Sequence, residues 1–211
     1  MSKISGSRSR SRAAGSSSVP ETFFSRSIAG LAEVSGRPEL VLEEVPAPTR
    51  LAPHAVALSG EVIPSHLGED DDPIATGRFV LLHDPEEPEP WEGTWRVVSY
   101  AKAAMEPEVG HDPLAGQAGW SWLTEAIEAA DLGWAAPAGT VTCVTSESFG
   151  ALEDRAPTVE LEIRASWTPV LTTGRENAEL AAHLGAWGDL LCTLAGLPPL
   201  PEGVVALGVR R

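Results

Sequence analysis

A chain of 211 residues with a formal net charge of -15 and an apolar fraction of 43% has material for one good-sized core, so one domain plus a tail is expected. The charge argues against a phosphate-backbone binder, which needs a positive footprint to release counterions. The two cysteines, Cys143 and Cys192, make no disulfide framework, and no apolar run is long enough to span a bilayer.

Residues 1–19 are rich in Ser, Arg and Gly and carry Lys3, Arg8, Arg10 and Arg12 without an acid. No apolar segment follows these charges, so they are not a secretory signal. A disordered basic tail is expected, and it is the only route to nucleic acid that the sequence offers. Residues 20–211 are read as a single domain. Pro20 to Ser35 predicts a first helix, with Phe24, Ile28, Leu31 and Val34 at helical spacing and Gly36 and Pro38 ending it. Glu39 to Val45 predicts a short strand closed by Pro46 and Pro48. Leu51 to Ile63 is ambiguous; a helical turn or two is the reading offered, and Pro53 and Gly60 count against it.

Gly68-Glu-Asp-Asp-Asp-Pro73 is an acidic loop whose carboxylates are not spaced as calcium ligands, so no metal is expected there. Thr76 to His83 and Gly93 to Ala103 predict a hairpin. Phe79 to Leu82 is continuously apolar, which predicts cover on both faces of that strand. The connection from Asp84 to Pro90 is acidic, proline-stiffened and expected to be exposed. Asp112-Pro113 suits a helix start, with the secure helix nearer Trp120 and with Trp120, Leu123 and Ile127 on one face.

A second hairpin organises the chain: Thr140 to Ser146, then a loop, then Val159 to Trp167. Val159, Leu161, Ile163, Ala165 and Trp167 alternate with Glu160, Glu162, Arg164 and Ser166, the pattern of a strand with one buried and one wetter face. Thr173-Gly-Arg-Glu176 has capping-box spacing ahead of a last helix striped by Leu180, Leu184, Trp187, Leu191 and Leu194. Gly196, Pro198 and Pro199 stop it, and a short edge strand is expected at Val204 to Leu207. The order α-β-ββ-α-ββ-α predicts an α+β fold, an antiparallel sheet of about five strands with helices mainly on one face.

Chemistry is sparse. The chain has no glycine-rich phosphate loop and no nucleophile elbow, and its five histidines have no metal-ligand spacing. No cofactor and no metal site is expected. His83-Asp84, His111-Asp112, Ser146-Glu147-Ser148 and the pair Glu160 and Glu162 each read more simply as strand-end, turn or wet-face residues than as catalytic groups. His183 is read as half-exposed on the last helix, and Cys143 and Cys192 as reduced core residues of a cytoplasmic protein. The remaining candidates are aromatic: Trp91 and Trp95 flank Glu92-Gly93, and Trp120-Ser-Trp122 opens a helix. These four tryptophans are the speculative partner- or ligand-binding residues, since exposed tryptophan is a favoured anchor.

Several blocks resemble a known family: Arg37-Pro-Glu-Leu-Val-Leu-Glu-Glu-Val-Pro46, Ala75 to Asp84, Trp91-Glu-Gly93, Gly119 to Ala126, Val144 to Gly150, Ala186 to Cys192 and Gly196 to Gly203. Together they are similar to an actinobacterial family known as domain of unknown function 3000, from about residue 21 onward. The resemblance implies a cytoplasmic bacterial protein and supplies no activity, cofactor or site. The element order is also similar to small acidic proteins of the secretion-chaperone type, which bind other chains. The sequence therefore favours a non-enzymatic interaction or accessory module whose partner is another protein or a second copy. A small-molecule binder or enzyme, with a pocket between sheet and helices near Trp95, Trp120 and Trp167, is the alternative. An RNA-associated role through the basic tail is a third reading.

Overall fold

The structure is a computed structural model that describes residues 18–34, 36–63 and 72–197. Six strands form one antiparallel sheet: β1 (Leu40–Val45), β2 (His54–Val62), β3 (Ala75–His83), β4 (Trp95–Met105), β5 (Trp134–Ser146) and β6 (Thr158–Pro169), in the order β1-β2-β3-β4-β6-β5. The helices are α1 (Ser18–Ile28), α2 (Ala115–Ala129) and α3 (Glu176–Leu194). The α+β expectation holds, with six strands rather than five. The additional strand is β2, which occupies the stretch that Pro53 and Gly60 made ambiguous. Pro53 stands just before the strand begins, where it removes no ladder hydrogen bond.

Gly60 has a packing role. It pairs with Gly77 across β2 and β3, and the indole of Trp187 from α3 lies over the two. A methyl group at Gly77 would sit 2.6 Å from Trp187 Cζ2 and 2.5 Å from the Tyr100 carbonyl oxygen, so only glycine leaves room for the ring. Trp120 of α2 lies over Gly139 of β5 in the same way. Both helices thereby press onto the sheet at places where the strands carry no side chain.

Alternation on each strand sends one set of side chains into this core. From β6 these are Val159, Leu161, Ile163, Ala165 and Trp167, all buried as the pattern predicts. Leu161, Ile163, Ala165 and Trp167 meet Leu123 and Ile127 of α2 and the stripe Leu180, Leu184, Trp187, Leu191 and Leu194 of α3. Phe79 and Leu81 enter the same core, while Val80 and Leu82 bury against Ala57 on the opposite face under Trp91, so β3 is covered on both sides at that end.

The helix ends differ in detail from the sequence reading. The first helix continues from α1 into a 3-10 turn at Ala29–Glu33. Thr173 does not cap α3. Glu176 and Glu179 instead fold back to accept hydrogen bonds from the N–H groups of Gly174 (2.9 Å) and Thr172 (2.6 Å). The C-terminus of α3 closes as expected: Gly196 takes a φ of 71°, and the N–H groups of Leu197 and Gly196 reach the carbonyls of Cys192 and Thr193.

Two burial expectations are corrected. His183 is fully buried beside Trp167, because it sits one residue before Leu184 on the side of α3 that faces β6. Cys143 is exposed, because β5 is an edge strand and α2 covers it only around Gly139 and Val141. Cys192 is buried as read. The tail at 1–17, most of the acidic loop and the expected strand at Val204 to Leu207 lie outside the described residues.

Candidate functional site

With all three helices on one side, the other side of the sheet carries a second set of side chains. Antiparallel register aligns them into rows across the strands. One row runs Glu43, Ser59, Arg78, Tyr100, Arg164, Thr140, and the next runs Val45, Ala57, Val80, Val98, Ser166, Ala138. Arg78 and Arg164 thus flank Tyr100 from two strands apart, about 10 Å between backbones at ordinary strand spacing. Beside them Val80 and Val98 form an apolar floor. The members of these rows on β3, β4, β6 and β5 line an open groove of about 510 Å³ on the uncovered face.

The electrostatics of this groove come from a few pairs. The Arg164 guanidinium lies 5.7 Å from the centre of the Tyr100 ring, within cation–π range, and is 2.7 Å from Glu162. Its side chain is 64% exposed, so the ion pair is weak and leaves guanidinium donors facing water. Lys102 is held at 2.6 Å by Glu160, which raises the ammonium's pKa. Partial burial, and next the charge of Glu162, to whose carboxylate the hydroxyl donates, raise the pKa of Tyr100, so it stays protonated. Arg78 is exposed, and among the described residues it has no ion-pair or hydrogen-bond partner.

Arg96 looks similar in sequence and behaves differently. It is buried, and its guanidinium bonds to the Ala136 carbonyl (2.8 Å), Thr168 Oγ1 (3.2 Å) and Ser166 Oγ (2.7 Å). Ala136 sits in the β5 bulge with a φ of 45°, a conformation that costs energy for a residue with a Cβ. Arg96 therefore clamps the bulged start of β5 against β6. Thr168 in turn donates to the Trp91 carbonyl, tying down the β3–β4 loop.

The four tryptophan candidates are not brought together. Trp91 is half-buried at the closed end of the uncovered face, against the Val80 and Leu82 cluster. Trp95 is buried on the helix side, its ring 4.4 Å from that of His83 and stacked on Phe24. Trp120 and Trp122 both lie half-buried against the main core. Trp95 and Trp167 are both buried in aromatic contacts.

The other candidates are placed as follows. Burial, and next the neighbouring His54, lower the pKa of His83, while Asp84 opposes them more weakly. The Asp84 carboxylate accepts the Glu86 N–H at 3.0 Å, a turn bond rather than the orienting contact of a general base. Glu160 and Glu162 do share the uncovered face, each in an ion pair. The Arg78–Tyr100–Arg164 row was not singled out from the sequence. Its members were visible at polar positions of three strands, but only the register aligns them.

A family model described as a protein of unknown function (DUF3000) matches residues 19–205. The chain belongs to this family. No curated protein matches it, and no solved structure does. No helix among the described residues is long and apolar enough to cross a membrane.

Proposed function

We propose that this member of the family is a non-enzymatic interaction module of the cytoplasm that binds another protein by adding a strand of that protein to β5. The observation that carries the reading is the contrast between the two edges of the sheet. β1 is a six-residue strand bearing Glu43 and Glu44 and followed by Pro46 and Pro48, which are ordinary guards against edge pairing. β5 has 13 residues from Trp134 to Ser146, contains no charged side chain, and is exposed or half-exposed throughout. Pro137 interrupts it only at the bulge, leaving the regular run Ala138 to Ser146 free to pair. Its threonines and valines are strong strand formers, and an added strand would gain main-chain hydrogen bonds along that run. Two unpaired thiols, one of them exposed, are in keeping with a reducing compartment.

The test is a tagged pull-down of the full chain from source cells, with and without nuclease, read by mass spectrometry. A stoichiometric partner that survives nuclease and disappears with Cys143→Lys/Val144→Lys, which places a charge on each face of the edge, is the expected result. A partner indifferent to that variant, partners lost with nuclease, or no partner at all would overturn the reading.

A further inference from the structure

We infer that the groove on the uncovered sheet face docks an acidic, apolar segment of the partner protein, with a carboxylate held between Arg78 and Arg164 and an aliphatic side chain seated on Val80 and Val98. This rests on the reading that the partner is a protein, and adds which chemistry it presents and where.

Charge points to an acidic occupant, because the groove's lining holds Arg78 and Arg164 and no carboxylate. The wider face carries four basic side chains (Arg78, Arg96, Lys102 and Arg164) and four acidic ones (Glu43, Glu61, Glu160 and Glu162). Two of the four basic groups are already engaged, since Arg96 bonds inward to the β5 bulge and Lys102 is held by Glu160. The remaining two are those that line the groove. Arg78 has no side-chain partner among the described residues, and the exposed pair of Arg164 with Glu162 exchanges readily for another carboxylate. Guanidinium groups bind carboxylates through two parallel N–H bonds.

Shape points to a chain segment rather than a small molecule. The groove is open along its length, whereas small-ligand sites bury most of their ligand. Val98 remains 36% exposed at its floor although it sits in the middle of a six-stranded sheet. The groove also reaches β5 through Thr140, so a segment lying in it continues directly to the free edge. One partner chain can then occupy both, its strand on β5 and its acidic flank over Tyr100.

A fluorescein-labelled peptide of alternating Glu and Leu is the probe, with a Lys and Leu peptide of the same length as control and anisotropy as the readout. The acidic peptide should bind, weaken as salt rises from about 0.1 M to about 1 M and the screening length shrinks from roughly 10 to 3 Å, and lose roughly tenfold or more in affinity to Arg78→Ser/Arg164→Ser. Arg78→Glu, at an exposed position that does not threaten folding, should weaken it in the same direction. The edge variant Cys143→Lys/Val144→Lys should retain binding. Equal binding of the basic peptide, or no effect of the arginine variants, overturns the groove. Loss of binding in the edge variant assigns the peptide to β5 and also overturns it. No binding to the wild-type chain removes the groove and leaves strand addition to be judged by the pull-down alone.

Discussion

His183 gives the fold a built-in acid sensitivity whose size follows from its surroundings. The imidazole is 1% exposed, and its Nδ1 accepts a hydrogen bond from Trp167 Nε1 at 3.3 Å, which places the proton of the neutral ring on Nε2. Nε2 makes no hydrogen bond of ordinary geometry, although the backbone of Gly133 and the carboxylate of Glu179 lie close enough to favour a proton slightly. Burial outweighs both and lowers the pKa from 6.5 to about 4. The unfolded chain therefore takes up a proton near 6.5 while the folded chain resists until about 4. The contribution is intact above 6.5, falls between 6.5 and about 4, and levels off below, with a total loss of about 3 kcal/mol at roughly 1.4 kcal/mol per pH unit. Urea denaturation followed by tryptophan fluorescence across that range measures it. His183→Asn keeps an acceptor where Nδ1 was and removes the titration, so the variant should lose less stability than wild type on acidification, by about that amount. Parallel wild-type and variant curves would refute the reasoning. His83, whose pKa burial also lowers, should leave a residual slope of the same sign in the variant.

Three further outcomes follow from the packing. Gly77→Ala drives a methyl against the Tyr100 carbonyl and the Trp187 indole, and should lower stability by about 1–3 kcal/mol in chemical denaturation. Arg96→Lys cannot reach Ala136, Ser166 and Thr168 together; it should cost about 2 kcal/mol and speed hydrogen exchange selectively at the start of β5. Of the two thiols, Cys143 should react with a disulfide reagent in the native protein. Cys192, buried and with its pKa raised to about 11 chiefly by that burial, should react only on unfolding, and a thiol count in native buffer reads the difference directly.

Period-two and helical patterns predicted the elements that bury one clean face. The alternation of β6 and the stripe of α3 are the clearest, because each has a single apolar set and each buries it. The pattern failed where tertiary packing supplies the reason for a residue. Gly60 reads only as an interruption of an ambiguous stretch until the Trp187 indole is seen to lie over it. Cys143 reads as core until β5 is known to be an edge. His183 reads as half-exposed because a polar side chain on a helix normally faces water, and here the Trp167 indole supplies its partner instead.

The groove escaped the sequence for a related reason. Arg78, Tyr100 and Arg164 occupy wet-face positions on β3, β4 and β6, and each alone is an ordinary solvated residue. Neighbourhood across a sheet depends on register, and shifting one strand by one residue would turn its member of the row to the helix side. β6 lies between β4 and β5 only because the chain crosses from β4 through α2 to the edge before returning, and that return places Arg164 beside Tyr100. The same path leaves β5 outermost with its uncharged run exposed. One topological choice thus produces both the groove and the open edge, and places Thr140 at their junction. A partner chain that uses either is within one strand spacing of the other, about 5 Å.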